Sequence, residues 1–160
     1  MTEIPQSARK IQDAADALDL DIAVLVMPQS TRTAEEAAAA CDCSVGQIVK
    51  SLVFVGRKTA TPYLLLVSGD NRVDEKAVAA DLAEKLKRPD ANFVRDLTGF
   101  AIGGIPPFGH AEPIATFFDR DLLKHEVIWA AAGTPKAVFS CAPDALAVAT
   151  GATVISVTGQ

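Results

Sequence analysis

Lys50 sits inside an apolar run, Ile48-Val49-Lys50-Ser51-Leu52-Val53-Phe54, and a glycine-proline stretch, Gly103-Gly104-Ile105-Pro106-Pro107-Phe108-Gly109-His110, lies far downstream. A cation among apolar residues is costly to bury unless it has a partner or a task. The plain alternative places Lys50 at a strand edge with its ammonium in water. In the second stretch, Gly103 and Gly104 free the backbone to turn N–H groups toward an anion or a developing oxyanion, and Pro106 and Pro107 stiffen the residues after them. Phe100, Ile102, Ile105 and Phe108 interleave with the glycines, and an apolar loop of fixed backbone suits the wall of a small pocket. His110 is either a ligand contact or proton carrier, or a hydrogen-bonded structural histidine.

Other chemistries find little support. Cys41-Asp42-Cys43 is half of a metal site without its second pair, since only His110, His125 and Cys141 remain to complete it. The three cysteines therefore read as free structural thiols, with no metal and no cofactor. No Gly-x-Ser-x-Gly elbow, phosphate loop or dinucleotide fingerprint is present. Two further breaks, Ser68-Gly69-Asp70-Asn71 and Ala131-Ala132-Gly133-Thr134-Pro135, have the composition of ordinary turns.

The elements that must position these residues fit one domain spanning 1–160, because 160 residues, 49% of them hydrophobic, can build one sizeable core. The formal net charge of −5 disfavours a protein that coats nucleic acid, DNA included. It leaves room for a local basic patch, with Arg9-Lys10, Arg57-Lys58 and Lys85, Lys87, Arg88 as candidates. No run reaches membrane-spanning length, the start Met1-Thr2-Glu3-Ile4-Pro5 lacks signal-peptide character, and the few cysteines suit a reducing cytoplasm.

Periodicity predicts helices over 7–18, from the Thr33-Ala34-Glu35-Glu36 capping box to Cys41, over 74–86, and over 143–149, with helical turns after Ser44, near 93–97 and over 121–124. Strands are expected over 21–27, 49–55, 63–67, 116–118, 127–131, 137–139 and 153–157, with 56–61 as a hairpin turn. The short turns between several strands imply an α/β chain of α+β type, with a mixed, largely antiparallel sheet surrounded by helices.

The chain resembles the YbaK/ProX family of aminoacyl-tRNA deacylases, whose domain also occurs inside bacterial prolyl-tRNA synthetases. The resemblance runs from about Thr31 to about Gly151. It rests on Thr31-Arg32-Thr33-Ala34-Glu35-Glu36-Ala37-Ala38, on Val45-Gly46-Gln47-Ile48-Val49-Lys50-Ser51-Leu52-Val53-Phe54, on Val67-Ser68-Gly69-Asp70, on Gly99 through His110, and on Ala131-Ala132-Gly133-Thr134. These motifs are short, but their order and spacing are specific as a set.

The resemblance implies a sheet curled toward a barrel, and hydrolysis of a mischarged amino acid from tRNA, typically tRNA(Pro), as a stand-alone proofreading step. The implied partners are the acceptor end of aminoacyl-tRNA and prolyl-tRNA synthetase. The implied site is the strand lysine with the Gly-x-x-x-Pro loop, here Lys50 and Gly103 to Pro107. Lys50, Gly103 and Gly104 are then the catalytic candidates. Ser68, Asp70, Thr98, Pro106, Pro107, His110 and Gly133 are candidates for substrate binding, with Asp70 considered for the substrate's α-amino group. No side chain stands out as a general base. The amino acid removed stays open among alanine, serine, threonine and cysteine. The rival reading is a non-catalytic module that binds tRNA or an aminoacyl ligand, or a synthetase-associated regulatory protein.

Overall fold

The computed structural model describes residues 4–160, so the reading of Met1-Thr2-Glu3 lies outside the described residues. Helix α1 (Gln6–Ala17) follows Pro5, whose fixed backbone suits a helix entry, and buries Ala8, Ile11 and Ala15 on one stripe. The next segment, expected as a strand over 21–27, pairs only as β1 (Leu25–Val26). Leu20, Ile22 and Val24 are buried before it as part of the core, without a ladder. The Thr33 hydroxyl accepts the Glu36 N–H at 3.1 Å and so starts α2 (Ala34–Cys41). A 3-10 turn (Val45–Gln47) then delivers the chain to β2 (Ile48–Gly56), which turns back into β3 (Pro62–Ser68).

Helix α3 (Glu75–Leu82) is shorter than the predicted 74–86. Asp74 caps its start. At its end Ala83 takes a left-handed conformation (φ 62°), and Leu86–Lys87 leave as a strand, β4. The helical pattern is overridden by tertiary contacts. The Glu84 carboxylate accepts from Lys58 N, Thr59 N, the Thr59 hydroxyl and the Tyr63 phenol, tying it to the β2–β3 turn. Leu86 is buried beside Phe54 and Val78. Asp90 caps α4 (Ala91–Thr98), a full helix where a short turn was expected. The chain continues through β5 (Ala115–Asp119), a 3-10 turn (Arg120–Lys124), the hairpin β6 (Ile128–Ala131) and β7 (Ala137–Cys141), α5 (Pro143–Thr150) and β8 (Thr153–Ile155).

All eight strands among the described residues share one mixed sheet in the order β1-β7-β6-β2-β3-β5-β8, with β4 also pairing β2. The hairpins β2–β3 and β6–β7, and the β1–β7 and β2–β4 pairs, are antiparallel. The pairs β2–β6, β3–β5 and β5–β8 are parallel. The sheet does not close into a barrel, since β1 and β8 end the path unpaired with each other.

Both faces of the central hairpin are covered. Val49, Leu64 and Leu66 pack with α1 and Phe139 on one side, while Phe54, Leu65 and Val67 pack with Val78 on the other. The Phe54, Phe118 and Phe139 side chains are fully buried, and burial of each stabilises the scaffold by about 1.5–3 kcal/mol.

The sheet is irregular along β2. On the side of β2 away from β3, β6 pairs only with Ile48 and Val49, and β4 only with Val55 and Gly56. Residues 50–54 therefore have a strand partner on one side alone, and the sheet is split along that edge.

Candidate active site

The split holds a cavity of about 530 Å³. Residues 48–54 of β2 form its floor, the start of α2 and the Ile102–Ile105 loop its walls, and Arg88 and Pro89 part of its rim. An unpaired strand edge leaves peptide groups in need of partners, which a ligand can supply.

Lys50 faces the same side of the sheet as Leu52 and Phe54, opposite Val67 of β3. It lies beyond the end of that apolar cluster, half-buried. Its ammonium donates to the Asn71 carbonyl at 2.6 Å. Burial pulls its pKa below the ordinary lysine value, and the carboxylates of Glu35, Asp119 and Asp70 oppose that shift, with Arg72 adding to it. One acceptor leaves two of its three donors for a ligand.

Asn71 is itself held in place. Its side-chain amide donates to Asp119 and Asp121, each at 2.8 Å, and the buried Asp119 also accepts Ser68 N at 3.0 Å. The Ser68 hydroxyl lies 2.7 Å from the Gly46 carbonyl and 2.9 Å from Asp70 Oδ1. Ser68 and Asp70 thus sit in the network behind Lys50 and are absent from the cavity lining.

The loop is fixed from below. Gly103 adopts φ +98°, a conformation suited to glycine, and a methyl group there would sit 2.7 Å from Arg32 Cγ. Gly104 is buried against the turn after β6, with its carbonyl accepting Gly133 N–H at 3.0 Å. Its own N–H donates to the Ala101 carbonyl at 3.0 Å, closing a turn within the loop. That bond corrects the expectation that the Gly104 amide faces an oxyanion. The Gly103 and Ile105 amides have no acceptor among the described residues, and both residues line the cavity.

Pro106 and Pro107 are buried beneath the loop and do not line the cavity. The ring Nε2–H of His110 donates to the Pro106 carbonyl at 2.7 Å. Burial pushes this imidazole's pKa below the ordinary value, against the pull of that carbonyl, so the ring is a neutral brace for the loop. The Thr98 hydroxyl bonds the Val94 and Phe100 carbonyls at the end of α4. Gly133 lies behind Gly104, where an added methyl would meet the Ser7 carbonyl at 2.8 Å. Neither Thr98 nor Gly133 reaches the Lys50 cavity.

Arg32, Glu35 and Ser51 all line the cavity; they lie inside motifs quoted from the sequence but are not among its candidate site residues. Arg32 and Glu35 flank the Thr33 cap, and a helix start placed over a lysine strand is the signal that could have found them. The Ser51 Oγ is buried and has no partner among the described residues. Arg88 of the candidate basic patch is also at the rim, with its guanidinium 5.5 Å from the Phe54 ring centroid. Burial raises the Cys41 thiol to about 11 and the Cys141 thiol to about 12, so both stay protonated and inert. No cluster of metal-ligating side chains occurs among the described residues.

Residues 28–148 match the aminoacyl-tRNA editing domain, and the chain belongs to that family. It shares its fold with a crystal structure provisionally described as a trans-editing enzyme for prolyl tRNA synthetase, at 46% identity and a TM-score of 0.91 over 98% of this chain and 99% of the other. The crystal structure of hypothetical protein APE2540 is 31% identical, with a TM-score of 0.86 over 92% of this chain and 98% of the other. The uncharacterized protein YwhH of Bacillus subtilis (strain 168) is 30% identical over 103 residues, which are 64% of this chain and 65% of that protein. The match thus covers just under two thirds of YwhH. Among the described residues no helix is long and apolar enough to cross a membrane.

Proposed function

We propose that this chain is a trans-editing hydrolase, which removes a small non-cognate amino acid from the 3′ end of a mischarged tRNA. Following its 46%-identical relative, the carrier is tRNA(Pro), and prolyl-tRNA synthetase is the enzyme whose errors it clears. The observation that carries the reading is the pairing of one half-buried ammonium, on Lys50, with the unspent amides of Gly103 and Ile105 around one cavity.

An aminoacyl ester is already activated, so water can attack its carbonyl carbon with modest help. The attack forms a tetrahedral centre with a negative oxygen, and the ester C–O bond then breaks. The free amino acid leaves, and the ribose oxygen takes up a proton. Fixed amide donors stabilise the negative oxygen without reorganising, and an ammonium in a partly dry site adds charge that bulk water would screen. Neither histidine lines the cavity. Glu35 is the one carboxylate on its wall, so the water is activated either by that carboxylate or by a group of the substrate such as the vicinal ribose hydroxyl.

Such a small cavity has room for little beyond the aminoacyl group and the terminal nucleoside. Its apolar wall of Val49, Val53, Val94 and Ile105 favours a small side chain. One methylene changes selection by only about 1–3 kcal/mol, so more than one of alanine, serine, threonine and cysteine is expected to be removed. The test is release of amino acid from tRNA(Pro) charged in turn with each of these and with proline. Hydrolysis of one or more non-cognate esters with proline spared is expected. Retention of every ester, with tRNA still bound, would replace the hydrolase by a binding module.

A further inference from the structure

Glu35 is the carboxylate on the wall of the Lys50 cavity. It occupies the first turn of α2 but takes no part in the cap, which uses Thr33 and Glu36. It is exposed, and its carboxylate forms no ion pair within 4.0 Å among the described residues. It is nonetheless the foremost of the carboxylates acting on the Lys50 charge. An ammonium and a carboxylate thus face one cavity without touching, and a ligand can lie between them. Such a pair suits a ligand that carries both charges. An aminoacyl-tRNA does, with an α-ammonium two bonds from the reacting carbonyl carbon and phosphates on the terminal nucleotides. Asp70, the sequence candidate for the amine, is held behind the site by Ser68.

We propose that Glu35 binds the α-ammonium of the aminoacyl ester, so that the site accepts esters with a free amine and rejects their Nα-acylated forms. The proposal rests on the aminoacyl-ester reading above and extends it to a second substrate group. Nascent peptidyl-tRNA and other Nα-blocked tRNAs would thereby be spared.

The test compares alanyl-tRNA(Pro) with Nα-acetyl-alanyl-tRNA(Pro), using wild type, Glu35→Gln and, as a control on the same helix, Glu36→Gln. Wild type and Glu36→Gln should prefer the free amine by about tenfold or more, the scale of one charge-assisted hydrogen bond. Glu35→Gln should lower the free-amine rate by about that factor, leave the acetylated rate unchanged, and so abolish the preference. An equal loss on both esters would make Glu35 a general base and overturn the proposal, as would a preference that survives Glu35→Gln.

The comparison is repeated as binding of the non-hydrolysable 3′-alanylamido-3′-deoxyadenosine against its Nα-acetyl form. If no ester is cleaved but the binding preference is present and lost in Glu35→Gln, the hydrolase reading fails and the Glu35 assignment stands. If wild type binds the two amides equally, the Glu35 assignment fails whatever becomes of hydrolysis.

Discussion

Replacing Gly104 by alanine is the sharpest structural perturbation of the proposed site. The new methyl would lie 2.9 Å from the Thr134 carbonyl carbon and Cα, and 3.0 Å from its nitrogen. All three atoms are backbone, so no rotamer can relieve the contact. Either the turn after β6 or the loop must move, and the Gly133 N–H to Gly104 carbonyl bond lies between them. Overpacking of this kind costs about 1–3 kcal/mol, and losing the bond adds about 1 kcal/mol. For a chain of this length that total of about 2–4 kcal/mol corresponds to a melting temperature lower by about 4–16 °C.

The functional effect should be larger than the stability effect. The flanking Gly103 and Ile105 amides would shift relative to Lys50, and a misplacement of about 1 Å costs about 10²-fold in rate. The assay is single-turnover deacylation well below the melting temperature, with a thermal melt alongside. Gly151→Ala is the control. Nothing lies within 4 Å of the added methyl there, and only the strain of φ +64° remains, about 1 kcal/mol, with no effect on rate. A Gly104→Ala protein with wild-type rate and melting temperature would refute the packing argument. A lowered melting temperature with an unchanged rate would remove the loop from the chemistry.

Two further outcomes are expected from the same contacts. Four hydrogen bonds hold the Glu84 carboxylate well below its ordinary pKa of 4.5, at about 2, with the Tyr63 phenol foremost. Because the folded value is the lower one, the stabilisation is complete above pH 4.5 and is lost as pH falls through 2. Glu84→Gln should therefore flatten the acid limb of a stability profile in urea, and parallel profiles for the two proteins would contradict the assignment. Arg32 and Arg88 at the cavity rim should meet terminal phosphates. Neutralising either one should then reduce the slope of log K against log salt for tRNA binding by about 0.7, and an unchanged slope in both variants would place the phosphates elsewhere.

What was legible in the sequence divides along the range of the interactions. The Thr33 cap, the β2–β3 hairpin and the Pro143 helix are written in neighbouring residues, and the structure has them within a residue or two of their predicted bounds. Elements decided by distant contacts were misread. The pattern over 74–86 is helical throughout, yet the grip of the β2–β3 turn on Glu84 and the burial of Leu86 beside Phe54 end the helix at Leu82. Ile22 and Val24 look like strand residues because they are β-branched, and they are buried, but β7 pairs with only two positions of that segment, Leu25 and Val26.

The same division holds at the site. Lys50 and Gly103 stood out as anomalies of residue type. Arg32 and Glu35 did not, because a charged residue beside a helix cap is ordinary until the helix start is seen to close a cavity. Gly104 and Gly133 were read as backbone donors or pocket wall, while their place in the fold is close packing of two loops. The gap in the sheet along residues 50–54 is left between β4 and β6, two strands that reach the same side of β2 from distant parts of the chain, and no local pattern encodes it.

The central claim is that Lys50 drives ester hydrolysis from this gap. Its most direct test is single-turnover release of alanine from alanyl-tRNA(Pro) by wild type and Lys50→Ala, with folding checked by circular dichroism. Losing a donor aimed at the developing charge should slow release by about 10²–10³-fold in a protein that still folds. Release by Lys50→Ala at the wild-type rate would contradict the account.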